Sequence, residues 1–283
     1  MLTKFQSELM PLLAAIRSEE SYFAGGTALN FSLPRRSSDF DIFHDEIALC
    51  EKSFVTDIDY LRQHGFQVKI LRSPDKHGIG EAEIHKGTES TNIQWTIDSA
   101  YRFFPVIKDD TFGFRLSYHD LATNKLLALA GRSEIRDYYD VCEMIRTGKP
   151  VVAYVWAACG KDPGYTPNSL LEYMSFNSRY SKEDFTSIYT EHPINIVECK
   201  NLFQTMLHEA REKFSYAPIE EQGCLFLKKK GFSVFFPSKK EFEEKDYIKH
   251  EARAFGSFPE FKHVEDNGPL AFVEKSTKRH KMR

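Results

Sequence analysis

The sequence predicts an α+β protein, with a mixed β-sheet flanked by helices and a mainly helical domain after it. Two observations lead to this class. Helical and strand-like segments alternate through the first half of the chain, and the second half is largely helical. Gly148 and Pro150 end the last helix of the first half. We therefore expect domains at 1–148 and 149–283, the second with a small hairpin and a loose basic tail.

The elements of the first half follow in a regular order. An amphipathic helix is expected near 4–18 and another helix near 49–64. Strands are expected in five segments: 22–24, 39–43, 65–72, 80–86 and 91–100. The last of these strands shows apolar alternation at Ile93, Trp95 and Ile97.

Helices dominate the rest of the predicted chain. A helix over 116–132 has Ser117 or Asp120 as its N-cap, and a second follows over 134–150. The remaining helical segments and one hairpin are expected at 151–160, 167–175, 194–214 and 224–236.

Composition places the chain among soluble globular proteins. Of its 283 residues, 41% are hydrophobic and 28% charged, and no run is long enough to cross a bilayer, so we expect no membrane association. The five cysteines are odd in number and form no C-x-x-C pair. This pattern predicts a reducing, cytoplasmic location.

Basic residues gather late in the chain, although the formal net charge is −3. They could bind a polyanion, or they could be solvated residues of a hairpin tip and of the tail. They lie at Lys228 to Lys230, Lys239, Lys240, Lys275, Lys278, Arg279, Lys281 and Arg283.

Two aspartates on one predicted strand are the first candidate functional residues. Residues i and i+2 of a strand point to the same face, so Asp39 and Asp41 project side by side. Adjacent carboxylates repel one another, and a divalent cation removes that cost. If the strand ending at Asp98 lies beside them, three acids converge and could hold two ions for an in-line displacement. A solvated acidic pair is the alternative.

A double glycine precedes these aspartates. Gly25 and Gly26 fall at a strand-to-helix turn, where the absence of a Cβ lets backbone N–H groups approach a phosphate. Thr27 can add a hydroxyl. The alternative is a plain tight turn with a capping threonine.

Together these motifs resemble a known superfamily. The run GGTAL followed by SDFDIF resembles the opening motif of the polymerase-β-like nucleotidyltransferases. The run NKLLALAGRSEIRDYYDV resembles the lysine helix and R-D-x-x-D helix of the AbiEii-type toxin nucleotidyltransferases. The resemblance covers residues 20–145, about half of the chain.

The resemblance implies a set of site residues. Gly25, Gly26, Thr27, Arg36 and Lys125 would hold the triphosphate of an NTP. The acids would be Asp39, Asp41 and Asp98 as metal ligands, and Asp137 as the next functional position.

Each of the basic and later acidic residues has a structural alternative. Arg35 and Arg36 could be loop residues with no role in binding, and Lys125 could be a solvated helix residue. Arg136 and Asp140 could form a salt-bridge set on the helix surface.

The resemblance also implies an activity. The chain would transfer a nucleoside monophosphate from an NTP, with Mg²⁺, to a hydroxyl of RNA such as tRNA. It would be the toxin of a bacterial toxin–antitoxin or phage-defence pair, with a cognate antitoxin as partner. The alternatives are a small-molecule nucleotidyltransferase, a catalytically silent NTP-binding or interaction module, and a structural protein.

Overall fold

The computed structural model describes residues 2–37 and 39–259 of the chain. The predicted tail, from Lys275 to Arg283, lies outside them. The predicted α+β class is confirmed, because a seven-stranded mixed sheet is flanked by helices and followed by a mainly helical part.

The strands of the described residues are short, and most belong to the main sheet. Their bounds are β1 Tyr22–Phe23, β2 Asp39–His44, β3 Gln67–Arg72, β4 Gly80–Lys86, β5 Glu89–Ile97, β6 Tyr101–Arg102, β7 Ile107–Asp109, β8 Gly113–Arg115, β9 Cys224–Leu227, β10 Ile248–Glu251 and β11 Arg253–Ala254. The main sheet has the order β3-β4-β5-β2-β1-β8-β7. Strand β2 is parallel to β5 and antiparallel to β1.

Most helices lie where the sequence predicts them, and Lys239–Glu244 forms one that it does not predict. Their bounds are α1 Lys4–Ala15, α2 Gly25–Leu29, α3 Ile47–Gln63, α4 Tyr118–Gly131, α5 Ile135–Arg146, α6 Val151–Ala158, α7 Pro167–Phe176, α8 Ile196–Phe214 and α9 Lys239–Glu244. Ser117 is the N-cap of α4, since its side chain accepts a hydrogen bond from the Asp120 N–H. No helix of the described residues is long and apolar enough to cross a membrane.

The predicted hairpin at 224–236 differs from the observed pairing. The strand partner of β9 is β10, and the segment that returns after β9 makes one isolated bridge, between Leu227 and Val234. Sequence patterning missed β10 because its only buried side chain is His250, between the exposed Lys249 and Glu251. A strand with one small buried face carries little apolar alternation.

One hydrophobic core extends across residue 148. Helices α4 and α5, which precede that residue, pack on α6, α7 and α8, which follow it. Strand β11 also pairs with β6. The two halves therefore share a core, and the division into domains stays a prediction.

Asp120 fixes the start of α4. Its buried carboxylate accepts hydrogen bonds from the N–H groups of Phe103 and Phe104, at 2.8 and 3.1 Å, and from Ser117 Oγ at 2.7 Å. Lys161 Nζ, after α6, lies 3.2 Å from the same carboxylate. These bonds tie the start of α4 to the loop after β6 and to the chain after α6, which matters because α4 carries Lys125.

Candidate active site

One cavity, about 590 Å³ in volume, joins most of the residues that the sequence singles out. Its wall comes from the turn after β1, the loop before β2, the strands β2, β4 and β5, and the helices α4 and α5. The predicted residues in this wall are Gly25, Gly26, Asp39, Asp41, Asp98 and Lys125.

Asp39 and Asp41 lie on the same face of β2. They are half-buried, between the fully buried Phe40 and Ile42, which face the core. Asp41 Oδ2 accepts a hydrogen bond from the Gly26 N–H at 3.2 Å, and Asp39 Oδ1 accepts one from Ser37 Oγ at 3.0 Å. The two carboxylates therefore share the cavity, as strand alternation predicts.

The electrostatic environment of Asp41 is unfavourable for a lone carboxylate. Burial raises the pKa of Asp41 to about 6, and the negative charge of Asp39 adds to this effect. The Gly26 N–H and the charges of Lys125 and Arg136 act in the opposite direction but do not offset the rise in pKa. A cation bound between the two carboxylates would offset their repulsion.

The double glycine packs directly against these groups. Gly25 has a φ of +63°, and a Cβ added to it would lie 1.9 Å from Asp41 Oδ2. A Cβ on Gly26 would lie 3.0 Å from Arg35 Nη2. The backbone of this turn therefore forms part of the cavity wall only because neither residue has a side chain.

Thr27 takes a different place from the one that the resemblance implies. Its side chain is buried, outside the cavity wall, and its hydroxyl donates a hydrogen bond to the Asp39 carbonyl oxygen. This bond ties α2 to the start of β2. The position suits a residue that supports the Asp39 backbone.

Lys125 is held by two acids. Its side chain is buried, not on a solvated helix face, and its Nζ lies 2.7 Å from Asp137 Oδ1 and 3.1 Å from Asp140 Oδ2. Both aspartates are fully buried. Arg132 Nε binds the second oxygen of Asp137 at 2.8 Å. The ammonium group is thus fixed at the cavity wall before any ligand arrives.

Asp137 acts through its neighbours and does not line the cavity. Burial alone would raise its pKa, but the charges of Lys125 and Arg132 hold the pKa of Asp137 below its ordinary value. It is therefore an ionised carboxylate that positions two cations. Asp140 has a similar role, since it also binds Arg35, and neither acid forms the surface salt bridge weighed as the alternative.

The two adjacent arginines separate in space. Arg35 lines the cavity and binds Asp140 with Nε at 2.7 Å and Nη2 at 3.0 Å. Arg36, the residue expected to hold phosphate, is outside the cavity wall, and its guanidinium lies 4.5 Å from the centre of the Tyr189 ring. Strand alternation before β2 does not extend into this loop, so the sequence could not choose between them.

Asp98 lines the far end of the cavity. Strand β5 lies beside β2 as expected, but its register places Asn92 opposite Asp39 and Gln94 opposite Asp41. Asp98 comes four residues after Gln94, about 13 Å further along the strand direction. Within 2–37 and 39–259, no three His, Cys, Asp or Glu side chains group closely enough to hold a metal. The structure therefore does not bring Asp98 together with the β2 pair.

The carboxylate of Asp98 has its own hydrogen bonds. Its Oδ1 accepts one from the Ser99 N–H at 2.7 Å, and its Oδ2 accepts one from Asn124 Nδ2 at 3.2 Å. Asn124 Oδ1 in turn accepts one from Lys161 Nζ at 2.5 Å. Asp98 is thereby oriented by α4 and by the chain after α6.

Glu81 is an acid of the site that sequence reasoning missed. It lies opposite Gln94 across the β4–β5 pairing, on the sheet face that holds Asp41, and it lines the cavity. Asn92 Nδ2 donates a hydrogen bond to its Oε1 at 3.3 Å. The alternation of β4 indicates which face Glu81 occupies. Placing Glu81 beside Asp41 also requires the register of β4, β5 and β2.

The cavity wall carries both acidic and basic groups, and Arg136 Nη1 lies 3.9 Å from Asp39 Oδ2. The acids Asp39, Asp41 and Glu81 come from the sheet, and the wall also contains the cations Lys125, Arg35, Arg132 and Arg136. Magnesium in enzymes commonly takes one or two protein carboxylates together with substrate phosphates. Two carboxylates facing several cations therefore fit a Mg²⁺–polyphosphate complex better than a metal held by protein alone.

Comparisons with known proteins find similarity at the level of solved structures. No family model matches the chain, and no curated protein matches it. It is similar to MenT4, a nucleotidyltransferase toxin from Mycobacterium tuberculosis H37Rv, at 12% identity over 71% of this chain and 91% of that one, with a TM-score of 0.40.

A second similar structure is Cid1, described by its RNA terminal uridylyl transferase activity. The identity is 11% over 98% of this chain and 88% of that one, with a TM-score of 0.29. Both TM-scores are below 0.5, so we infer the function of this chain from its own side chains.

Replacing Asp41 by asparagine should stabilise the metal-free protein at neutral pH. The pKa of Asp41 is raised from 3.8 to about 6, so its protonated form favours folding below pH 4 and this contribution is lost as the pH rises through 6. Asp41→Asn should therefore raise the free energy of unfolding by about 1–3 kcal/mol at pH 7 and by little at pH 4. Urea unfolding in EDTA measures the difference.

Asp98→Asn is the matched control for that experiment. Asp98 accepts two hydrogen bonds, so losing its charge should not stabilise the fold. An Asp41→Asn protein no more stable than the original at pH 7 would contradict the electrostatic description of the β2 pair.

Proposed function

We propose that this chain is a Mg²⁺-dependent nucleotidyltransferase that moves a nucleoside monophosphate from an NTP to a hydroxyl of RNA. The observation that carries the proposal is the cavity in which the β2 carboxylates, the double glycine, Lys125 and Arg35 meet. A structural protein would have no need for two carboxylates beside this turn.

The chain's own residues would first bind and orient the triphosphate. Lys125 and Arg35 are fixed by buried aspartates, so their charges need little reorganisation when phosphate arrives. Arg132 is held by Asp137, and the half-buried Arg136 can move toward the charge that develops on the leaving group. Mg²⁺ held by Asp39 and Asp41 would neutralise phosphate charge and favour loss of the acceptor proton.

The transfer itself exchanges one bond for another. The acceptor oxygen forms a bond to the α-phosphorus, and the bond from that phosphorus to the bridging oxygen breaks, which releases pyrophosphate. The hydroxyl proton leaves to a carboxylate or to water. Glu81 shares the sheet face of Asp41, and we propose it as the proton acceptor.

The proposal extends to the biological role of the enzyme. The resemblance of the lysine and R-D-x-x-D helices to AbiEii-type proteins favours a toxin that acts on tRNA or another RNA in the cytoplasm, paired with an antitoxin. The five cysteines are all free and buried, which suits a reducing compartment. A small-molecule acceptor or a silent NTP-binding module remains the alternative.

Asparagine at either β2 position should abolish transfer. With each of four labelled NTPs, Mg²⁺ and total RNA, we expect at least a roughly 100-fold loss of label transfer for Asp39→Asn and Asp41→Asn, because a carboxylate that aids phosphoryl transfer contributes several kcal/mol. The control is Asp59→Asn, an exposed acid of α3. Full transfer by Asp41→Asn would contradict the proposal.

The same assay separates the alternatives. Label found on a panel of small hydroxyl compounds, and not on RNA, would favour a small-molecule enzyme. Metal-dependent NTP binding without pyrophosphate release would favour a silent module.

Glu81 and Asp98 should differ in their effect on the chemical step. Glu81→Gln should lower kcat by about 10²-fold, as expected for loss of a general base, while the Kd for NTP changes little. Asp98→Asn should change kcat much less, because Asp98 lies further along the sheet. The reverse order of effects would assign the proton acceptor to Asp98.

A further inference from the structure

A second depression adjoins the candidate active site. Its volume is about 540 Å³, and it is lined by residues of α7 and of the loop before it, with Gly131 in the walls of both cavities. Two exposed aromatic side chains lie here, Tyr173 with 53% and Phe176 with 63% of its surface exposed. A pair of exposed aromatic side chains beside a cavity is a candidate binding surface.

The aromatic surface is rigidly joined to the site. Asn177, directly after α7, donates hydrogen bonds from Nδ2 to the carbonyl oxygens of Leu129 and Ala130, at 3.2 and 2.7 Å. These carbonyls belong to the end of α4, the helix that carries Lys125. The Tyr173 ring also packs edge-on against Tyr165, with the centroids 5.6 Å apart. Tyr173 and Phe176, which we call the aromatic platform, are thus held at a fixed distance from the active-site cavity.

Cations accompany the aromatic rings. The guanidinium of Arg179 lies 5.1 Å from the centre of the Phe176 ring. Arg132 is 52% exposed and Arg136 is 41% exposed, and both line the neighbouring active-site cavity. One acid, Asp162, lines the depression, and its Oδ1 accepts a hydrogen bond from the Gly164 N–H at 2.9 Å. Arginines therefore lie both beside the platform and in the wall of the neighbouring cavity that contains the carboxylates.

This combination suits one kind of ligand. Flat aromatic faces stack on unpaired bases, while nearby arginines bind the phosphates between them. The small residues Ala130, Gly131 and Gly164 leave room for a planar group. Paired RNA presents its bases only in grooves, so stacking of this type requires a single strand.

We propose that the depression binds a single-stranded segment of the RNA acceptor, with bases stacked on Tyr173 and Phe176 and with phosphates beside Arg132 and Arg179. The proposal rests on the proposed function for the identity of the acceptor. It adds a recognition surface next to the site of transfer, and it explains why the two aromatic side chains stay exposed.

Binding of a fluorescent 12-nucleotide single-stranded RNA, followed by anisotropy, tests the surface without requiring catalysis. The double variant Tyr173→Ala, Phe176→Ala should raise Kd by about 10- to 100-fold, the loss expected for one or two stacked bases. Tyr173→Phe with Phe176→Tyr keeps both aromatic faces and should bind like the original. Ile219→Ala, at another exposed apolar position, should have no effect.

Transfer to a dinucleotide distinguishes this inference from the proposed function. An acceptor too short to reach the platform should be used equally well by the double variant and the original protein, while the KM for the 12-nucleotide RNA rises only in the variant. If no protein transfers nucleotide but RNA binding falls in the double variant, the surface stands and the proposed reaction fails. Unchanged RNA affinity in the double variant would overturn the inference.

Discussion

The repulsion between Asp39 and Asp41 is the constraint around which the site is built. Strand β2 holds both carboxylates on one half-buried face, and burial together with that repulsion raises the pKa of Asp41 to about 6. Lys125 and Arg35 line the same cavity, yet they bind the buried Asp137 and Asp140. The fold therefore places carboxylates and cations in one cavity, where Arg136 Nη1 lies 3.9 Å from Asp39 Oδ2, and a metal-bound polyphosphate would join the remaining groups.

A buried ionic network holds Lys125 and Arg35 in their positions at the cavity wall. Asp137 and Asp140 would be costly to bury alone, and Lys125, Arg35 and Arg132 offset that cost by direct hydrogen bonds. Because Asp140 binds both Lys125 and Arg35, it connects α5 to α4 and to the loop before β2. The network thus fixes the groups proposed to bind phosphate, whose flexible side chains would otherwise lose entropy on binding.

Local patterns in the sequence predicted the parts of this site that depend on local geometry. The i, i+2 spacing placed Asp39 and Asp41 on one face, and the resemblance of the lysine helix singled out Lys125. The position of Asp98 and the part played by Glu81 depend on the register of β2, β4 and β5, which non-local packing sets. The choice between Arg35 and Arg36 depends on loop conformation, for which the chain offers no periodic signal.

Binding of a non-hydrolysable NTP analogue, measured by calorimetry with and without Mn²⁺, tests the central claim most directly. If the acidic pair and the cationic wall are joined through a metal–polyphosphate complex, the ion should strengthen binding by at least about 10-fold, a free energy near 1.4 kcal/mol. Asp41→Asn should lose that gain and keep the weaker, ion-independent binding to Lys125 and Arg35. Equal affinity with and without the ion in the original protein would contradict the account.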